Sequence, residues 1–212
     1  MLLESFLTGT ESVNLIHTRR EVEKMIARID NWIGGQQLER SVLDGHFRNF
    51  RYLFKGESQD LNLFAVSQKG THSILGLLER AHENLSADIR SRLSPEAIND
   101  ITLAGRCLAF ECHTAVGFHI LRAVETLMRA YHQKLTGSTV ALKNRNWGVY
   151  IKALNDRGAD RKVTGYLEHI KDHYRNPIVH PEAVLTADEA FSLLNACLSA
   201  ITLLDGAIEA VP

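Results

Sequence analysis

The chain reads as an all-α protein: an up-and-down helical bundle over residues 94–212, preceded by an N-terminal helical region over residues 1–93. Three observations carry this reading. Apolar residues recur at steps of three and four in segment after segment, the period of a helix with one buried face. Start and stop signals bracket those segments: Ser94-Pro95-Glu96 has a capping serine with proline in the first turn, and Gly137 follows a long apolar stripe. Finally, four amphipathic segments with short connections close the chain, the arrangement of a bundle.

Element by element, Ser12 to Ile33 carries Val13, Ile16, Val22, Met25, Ile26 and Ile29 and is stopped by Gly34-Gly35. Leu38 to Leu53 is amphipathic but poorer in core residues. Asp60 to Ser67 is ambiguous between a short strand and a helix start, and His72 to Leu93 is a further helix. A soft boundary follows at residue 94. Thr114 to Leu135 sets Leu121, Val124, Met128, Tyr131 and Leu135 on one stripe, with Arg122, Glu125, Arg129 and His132 on a different face. Asn146 to Asn155 is a short helix bearing Trp147, Tyr150, Ile151 and Leu154. Arg161 to Tyr174 turns Val163, Tyr166, Leu167 and Ile170 inward. Ala187 to Ala210 closes the chain with Phe191, Leu194, Leu198, Ile201, Leu204 and Ile208.

With 212 residues the chain can bury a substantial core. It has no run approaching the eighteen or so continuous apolar residues of a spanning helix, and its first ten residues lack the pattern of a signal peptide. Three cysteines, Cys107, Cys112 and Cys197, form no paired framework and suit a reducing compartment, so a cytoplasmic protein without a membrane partner is expected. The net charge of −1 argues against nonspecific coating of nucleic acid. Its distribution is uneven. Eight Lys and Arg face two acids between Arg129 and Lys162, whereas five acids and no base lie from Glu182 onward. The basic block suits either a polyanion or solvated helix faces.

One segment breaks the pattern. Tyr174-Arg175-Asn176-Pro177-Ile178-Val179-His180-Pro181-Glu182 holds two of the four prolines. Pro177 disfavours helix at Asn176, so the helix is expected to end or kink near Arg175, and Pro181 restricts His180 in the same way. A stiff corner results, bearing one arginine and one histidine. As a purely structural corner, His180 would cap a helix and Arg175 would pair with Glu168 or Glu182.

Arg175, Asn176 and His180 resemble, position by position, the Arg-x4-His signature of the HEPN superfamily (higher eukaryotes and prokaryotes nucleotide-binding domains). The context is similar too, because the segment lies between the last two long helices of a four-helix pattern. Upstream, Ala104 to Phe110 and Phe118 to Glu125 look like the opening helices of a bacterial HEPN-like group. The resemblance covers residues 94–212 and does not extend to 1–93. It implies a metal-independent endoribonuclease without cofactor, of the kind that serves as a toxin or phage-defence effector. The histidine would act as general acid or base on the ribose 2′-hydroxyl, and the arginine would neutralise charge on the phosphate. It also implies a homodimer in which two corners share one groove, with Arg122 and Glu125 as candidate lining residues. One branch of the family carries a tyrosine two residues after the histidine as the target of a partner nucleotidyltransferase. Glu182 occupies that position here, which puts that partnership in doubt.

Other constellations are weaker. His169 and His173 have metal-ligand spacing without a third ligand, no phosphate-cradling glycine loop is present, and no metal is expected. Two function classes therefore stand: an RNA-cleaving effector whose N-terminal region answers to a regulatory protein or trigger, and a non-catalytic nucleotide-binding or protein-interaction module.

Overall fold

A computed structural model of the chain describes residues 2–11, 13–35, 37, 39–61, 66–70, 72–141, 144–180 and 182–211. The described residues are all-α. Their one element of extended pairing is an isolated antiparallel bridge between Lys69 and His72. The chain divides into two compact units, Met1–Ala65 and Val66–Pro212. The division falls some thirty residues before the boundary read from the sequence, because the segment ahead of Ser94 packs on the helix that follows it. Residues 62–65, the middle of the Asp60–Ser67 stretch that is ambiguous in the sequence, lie outside the described residues.

The first unit contains α1 (Leu2–Gly9), α2 (Ile16–Ile33) and α3 (Arg40–Glu57). Leu15, Val22 and Met25 are buried, and Phe6 meets Phe50 and Phe54 edge-on, at ring-centroid separations of 5.5 and 6.2 Å. The first turn of α2 has no side-chain cap from Leu15. Instead the Glu57 carboxylate accepts the backbone amides of His17 and Thr18, at 2.8 Å each, satisfying two of the donors that any helix start exposes. Buried Glu21 accepts from His46 Nδ1 at 2.6 Å and pairs with Lys24 at 3.4 Å.

In the second unit the His72–Leu93 stretch is broken into α4 (Ile74–Arg80), a 3₁₀ turn at Ala81–Asn84 and α5 (Ala87–Arg92). Ser73 and Ser86 each cap the element that follows, which is why one continuous helix does not form. Next come α6 (Pro95–Ala109), capped by Ser94, and α7 (His113–Thr136), closed by Gly137 in the left-handed region at φ 68°. Arg92 donates to Asp205 through both Nε and Nη2, linking the end of α5 to the last helix.

Gly105 lets α4 approach α6 closely. A β-carbon there would fall within contact of Ala81 Cβ and lie 2.5 Å from the Leu77 carbonyl oxygen. Two short helices follow, α8 (Trp147–Asp156), capped by Asn146, and α9 (Arg161–Ile170), capped by Asp160. A π turn at Lys171–Arg175, one further helical turn, α10 (Asn176–Ile178), and α11 (Ala187–Glu209) complete the unit. A capping box of Thr186 and Glu189 opens α11.

The helices α6, α7, α9 and α11 enclose a core that includes Ile101, Ile120, Met128, Leu167, Leu194 and Ile201, all under 2% exposed. The stripes expected from the sequence on α7, α8, α9 and α11 are the faces that pack inward. One point of core membership differs. Ile16, expected on the inner face of its helix, is 53% exposed at the first position of α2. The helix α11 is long and apolar enough, by length and composition, to cross a membrane, although its face through Leu194, Cys197, Ile201 and Leu204 is buried in this core.

Candidate functional site

Pro177 determines the geometry of the corner. Within a regular α-helix its ring would meet the carbonyl of His173, four residues back, and the chain would lose one hydrogen bond. The sequence suggests that the helix ends or kinks near Arg175. The chain instead widens into a π turn over Lys171–Arg175, in which the Asn176 amide donates to the Lys171 carbonyl five residues back. Helical backbone then continues through Asn176, at φ −67° and ψ −45°, to Ile178. The preference of a residue before proline for extended backbone is thus overridden at Asn176, and the wider turn relieves the separate clash of the proline ring with the carbonyl four residues back. The His180 amide donates to the Pro177 carbonyl at 3.0 Å, and Pro181 lies outside the described residues.

One apolar residue anchors this segment. Ile178 is 3% exposed and packs over Gly117 in the second turn of α7, where a β-carbon would also lie 3.3 Å from Leu185 and 3.2 Å from Leu193. The Leu185 amide donates to Thr114 Oγ1 at 3.2 Å, fastening the return of the chain to the same end of α7. Around the anchor the polar groups face outward: Asn176 and His180 are exposed and Arg175 is half-buried. Arg175 Nη1 is 3.5 Å from Asn176 Oδ1, and Asn176 Nδ2 is 3.5 Å from Asp172 Oδ1. Among the described residues Arg175 pairs with neither Glu168 nor Glu182, the partners a structural corner would use. The His169 and His173 rings lie 4.6 Å apart, tilted by 46°, along the same segment, and the described residues contain no cluster of three metal-ligating side chains.

The two expected lining residues are engaged elsewhere. Arg122 extends from α7 towards α6, where its Nε lies 3.4 Å from the buried carboxylate of Asp100. The same carboxylate receives His119 Nδ1 at 3.1 Å. Glu125 accepts the indole N–H of buried Trp147 at 3.1 Å and is paired with Arg129 one turn on. Among the described residues, neither side chain is paired with Arg175 or His180. Part of the basic block is similarly occupied, with Lys134 donating to the Ile208 carbonyl, Arg145 to the Val140 carbonyl and Lys152 to Asp156. Exposed Arg157, Arg161 and Lys162 remain at the α8–α9 connection.

Sequence reasoning missed the Asp100–His119–Arg122 cluster. Its signal was present: Asp100 occupies a core position of α6 beside Ala97, Ile101 and Ala104, and a carboxylate there needs cationic or donor partners from the next helix. His119 and Arg122, three residues apart on α7, supply them.

No family model matches the chain, and no curated protein or solved structure matches it significantly.

Proposed function

We propose that the chain is a metal-independent endoribonuclease of the HEPN type, with Arg175, Asn176 and His180 as its catalytic residues. The observation that carries the reading is the corner itself. An arginine, an asparagine and a histidine are presented outward together, on a segment anchored by one buried isoleucine, between the last two long helices of a bundle. Such a layout separates holding the corner from doing chemistry, as a preorganised site requires.

His180 takes the proton from the ribose 2′-hydroxyl, whose oxygen attacks the adjacent phosphorus. The 5′-oxygen of the next nucleotide leaves with a proton, giving a 2′,3′-cyclic phosphate and a 5′-hydroxyl. Arg175 donates to the phosphoryl oxygens as negative charge accumulates, and Asn176, beside it, adds an amide donor. The substrate is RNA, because DNA lacks the internal nucleophile. One histidine cannot both remove and deliver a proton in a single step. A second copy of the chain therefore completes the site, and the active species is a homodimer.

Incubation of purified protein with mixed RNAs in EDTA, alongside the His180→Ala variant, tests the reading. Cyclic-phosphate termini that appear with the wild type alone support it. Cleavage that survives His180→Ala, or that stops with EDTA, rejects it.

A further inference from the structure

Cys107 and Cys112 are five residues apart, and the turn between α6 and α7 brings them together. The helix closes with Glu111 in the left-handed region at φ 61°, with the Glu111 amide donating to the Leu108 carbonyl at 3.3 Å and the Cys112 amide to the Cys107 carbonyl at 2.8 Å. These two bonds define the Schellman closure, whose first and last residues carry the side chains that touch across the turn. An apolar pair usually sits there, whereas this chain has two thiols.

Four further features single the pair out. Cys112 is exposed and Cys107 is half-buried beside it, so one thiol can be reached and the other is shielded. Cys112 occupies the N-cap position of α7 but its side chain caps no amide, and the thiol donates only to the Phe110 carbonyl, at 3.7 Å. Burial first, and then the neighbouring Cys112, pushes the Cys107 thiol above its ordinary 9.0, so Cys112 is the sulfur that attacks first. Glu111, a non-glycine residue in a conformation that favours glycine, is braced there by Lys69 Nζ and Ser67 Oγ on its carboxylate.

We propose that Cys107 and Cys112 are a redox-active dithiol that closes to an intrachain disulfide by exchange with a small disulfide such as oxidised glutathione. The Cys112 thiolate attacks one sulfur of that molecule and expels one glutathione thiolate, leaving a mixed disulfide on Cys112. The Cys107 thiol gives its proton to solvent, attacks Cys112 Sγ and expels the second glutathione thiolate. Two protein thiols and one small disulfide thus become one protein disulfide and two small thiols. The backbone bond between the two residues holds their α-carbons near enough for the bridge. The clasp lies at the start of α7, the helix whose first two turns hold Thr114 and Gly117 against the corner.

The full-length protein, treated with oxidised glutathione and then alkylated, tests this without reference to any activity. Two of its three thiols should be lost, with a mass lower by two hydrogen atoms and the bridge mapped to Cys107–Cys112; buried Cys197 should stay reduced. The Cys107→Ser variant should stall with one glutathione on Cys112. The oxidised wild type should melt at a higher temperature than the reduced protein, an increase that dithiothreitol reverses. A wild type that retains all three thiols, stalls as the mixed disulfide, or forms Cys112–Cys112 dimers overturns the proposal.

Discussion

Ile178 occupies the space that a side chain at Gly117 would need, so that a β-carbon on Gly117 would press on Ile178 Cδ1 and approach Leu193 Cδ2 to 3.2 Å. Neither neighbour can withdraw freely, since both are buried in the core. Gly117→Ala therefore opposes two effects. Helix propensity favours alanine by roughly 1 kcal/mol, whereas forcing an extra methyl into a packed site costs about 1–3 kcal/mol. The clash should win, lowering the denaturant midpoint without changing its slope. Gly206→Ala is the matched control: in α11 a β-carbon would meet nothing within 4 Å, and stability should rise by about 0.5–1 kcal/mol. If Gly117→Ala raised the midpoint as Gly206→Ala does, the packing account of the corner would be wrong.

Arg175→Ala and His180→Ala separate chemistry from architecture. Both side chains leave the core untouched, so each variant should melt within about 0.5 kcal/mol of the wild type, as is usual away from packed sites. Cleavage of RNA should fall by about 10²–10⁴-fold on losing the proton-transferring group, and by a similar factor on losing the phosphate donor. Melting curves and single-turnover rates on the same preparations are the measurement. Joint loss of stability and activity would assign the corner to the scaffold.

Glu125→Ala should behave in the opposite way. It leaves the indole N–H of buried Trp147 without its acceptor and frees Arg129. A destabilisation of about 1–3 kcal/mol follows from the unsatisfied donor, and Glu125→Gln, which keeps an acceptor oxygen, should recover most of it. Should Glu125→Ala instead melt normally while RNA cleavage falls, the residue would belong to the substrate groove after all.

The first unit should be acid-sensitive through Glu21. Burial alone would raise this carboxyl, but hydrogen bonds from His46 and Lys24 outweigh it and hold the group below its ordinary 4.5. A carboxyl depressed in the folded state stabilises above its unfolded value, and that contribution is lost as pH falls from about 4.5 through the folded value. Glu57, lowered despite its burial by donors on Thr18 and His17, acts with the same sign. Urea titrations followed by the amide NMR signals of Val22 and Met25 should show stability falling below pH 4.5. The Glu21→Gln variant should show a shallower fall, and identical pH profiles would refute the linkage.

The sequence made the helices legible wherever local chemistry and tertiary packing agree. Ser94, Asn146 and Gly137 mark real ends, and the stripe from Leu121 to Tyr131 is buried as its spacing requires. The ambiguous cases share one cause, namely partners distant in sequence. Nothing near Leu15 announces that Glu57 will cap α2, forty residues on. Pro177 reads as a stop, yet a π turn absorbs it because Ile178 has a place to pack at Gly117, sixty-one residues upstream. The corner itself was visible as an odd run of prolines around a histidine and an arginine. Its supposed lining was not: Arg122 and Glu125 share a helical face in the sequence, but Asp100 and Trp147, each from a different helix, determine where they point.

The approach of α4 to α6 at Gly105 bears on where the chain can be cut. Main chain lies almost against main chain there, with the Leu77 carbonyl over the glycine. No rotamer change can fill the trough that opens if residues 66–93 are removed. A fragment started at Ser94, where the capping signal invites the scissors, would lose Leu77, Ala81 and Leu85 from the core, bare the face of α6 around Gly105, and be prone to self-association. A fragment started at Val66 keeps its own lid and should behave as a folding unit.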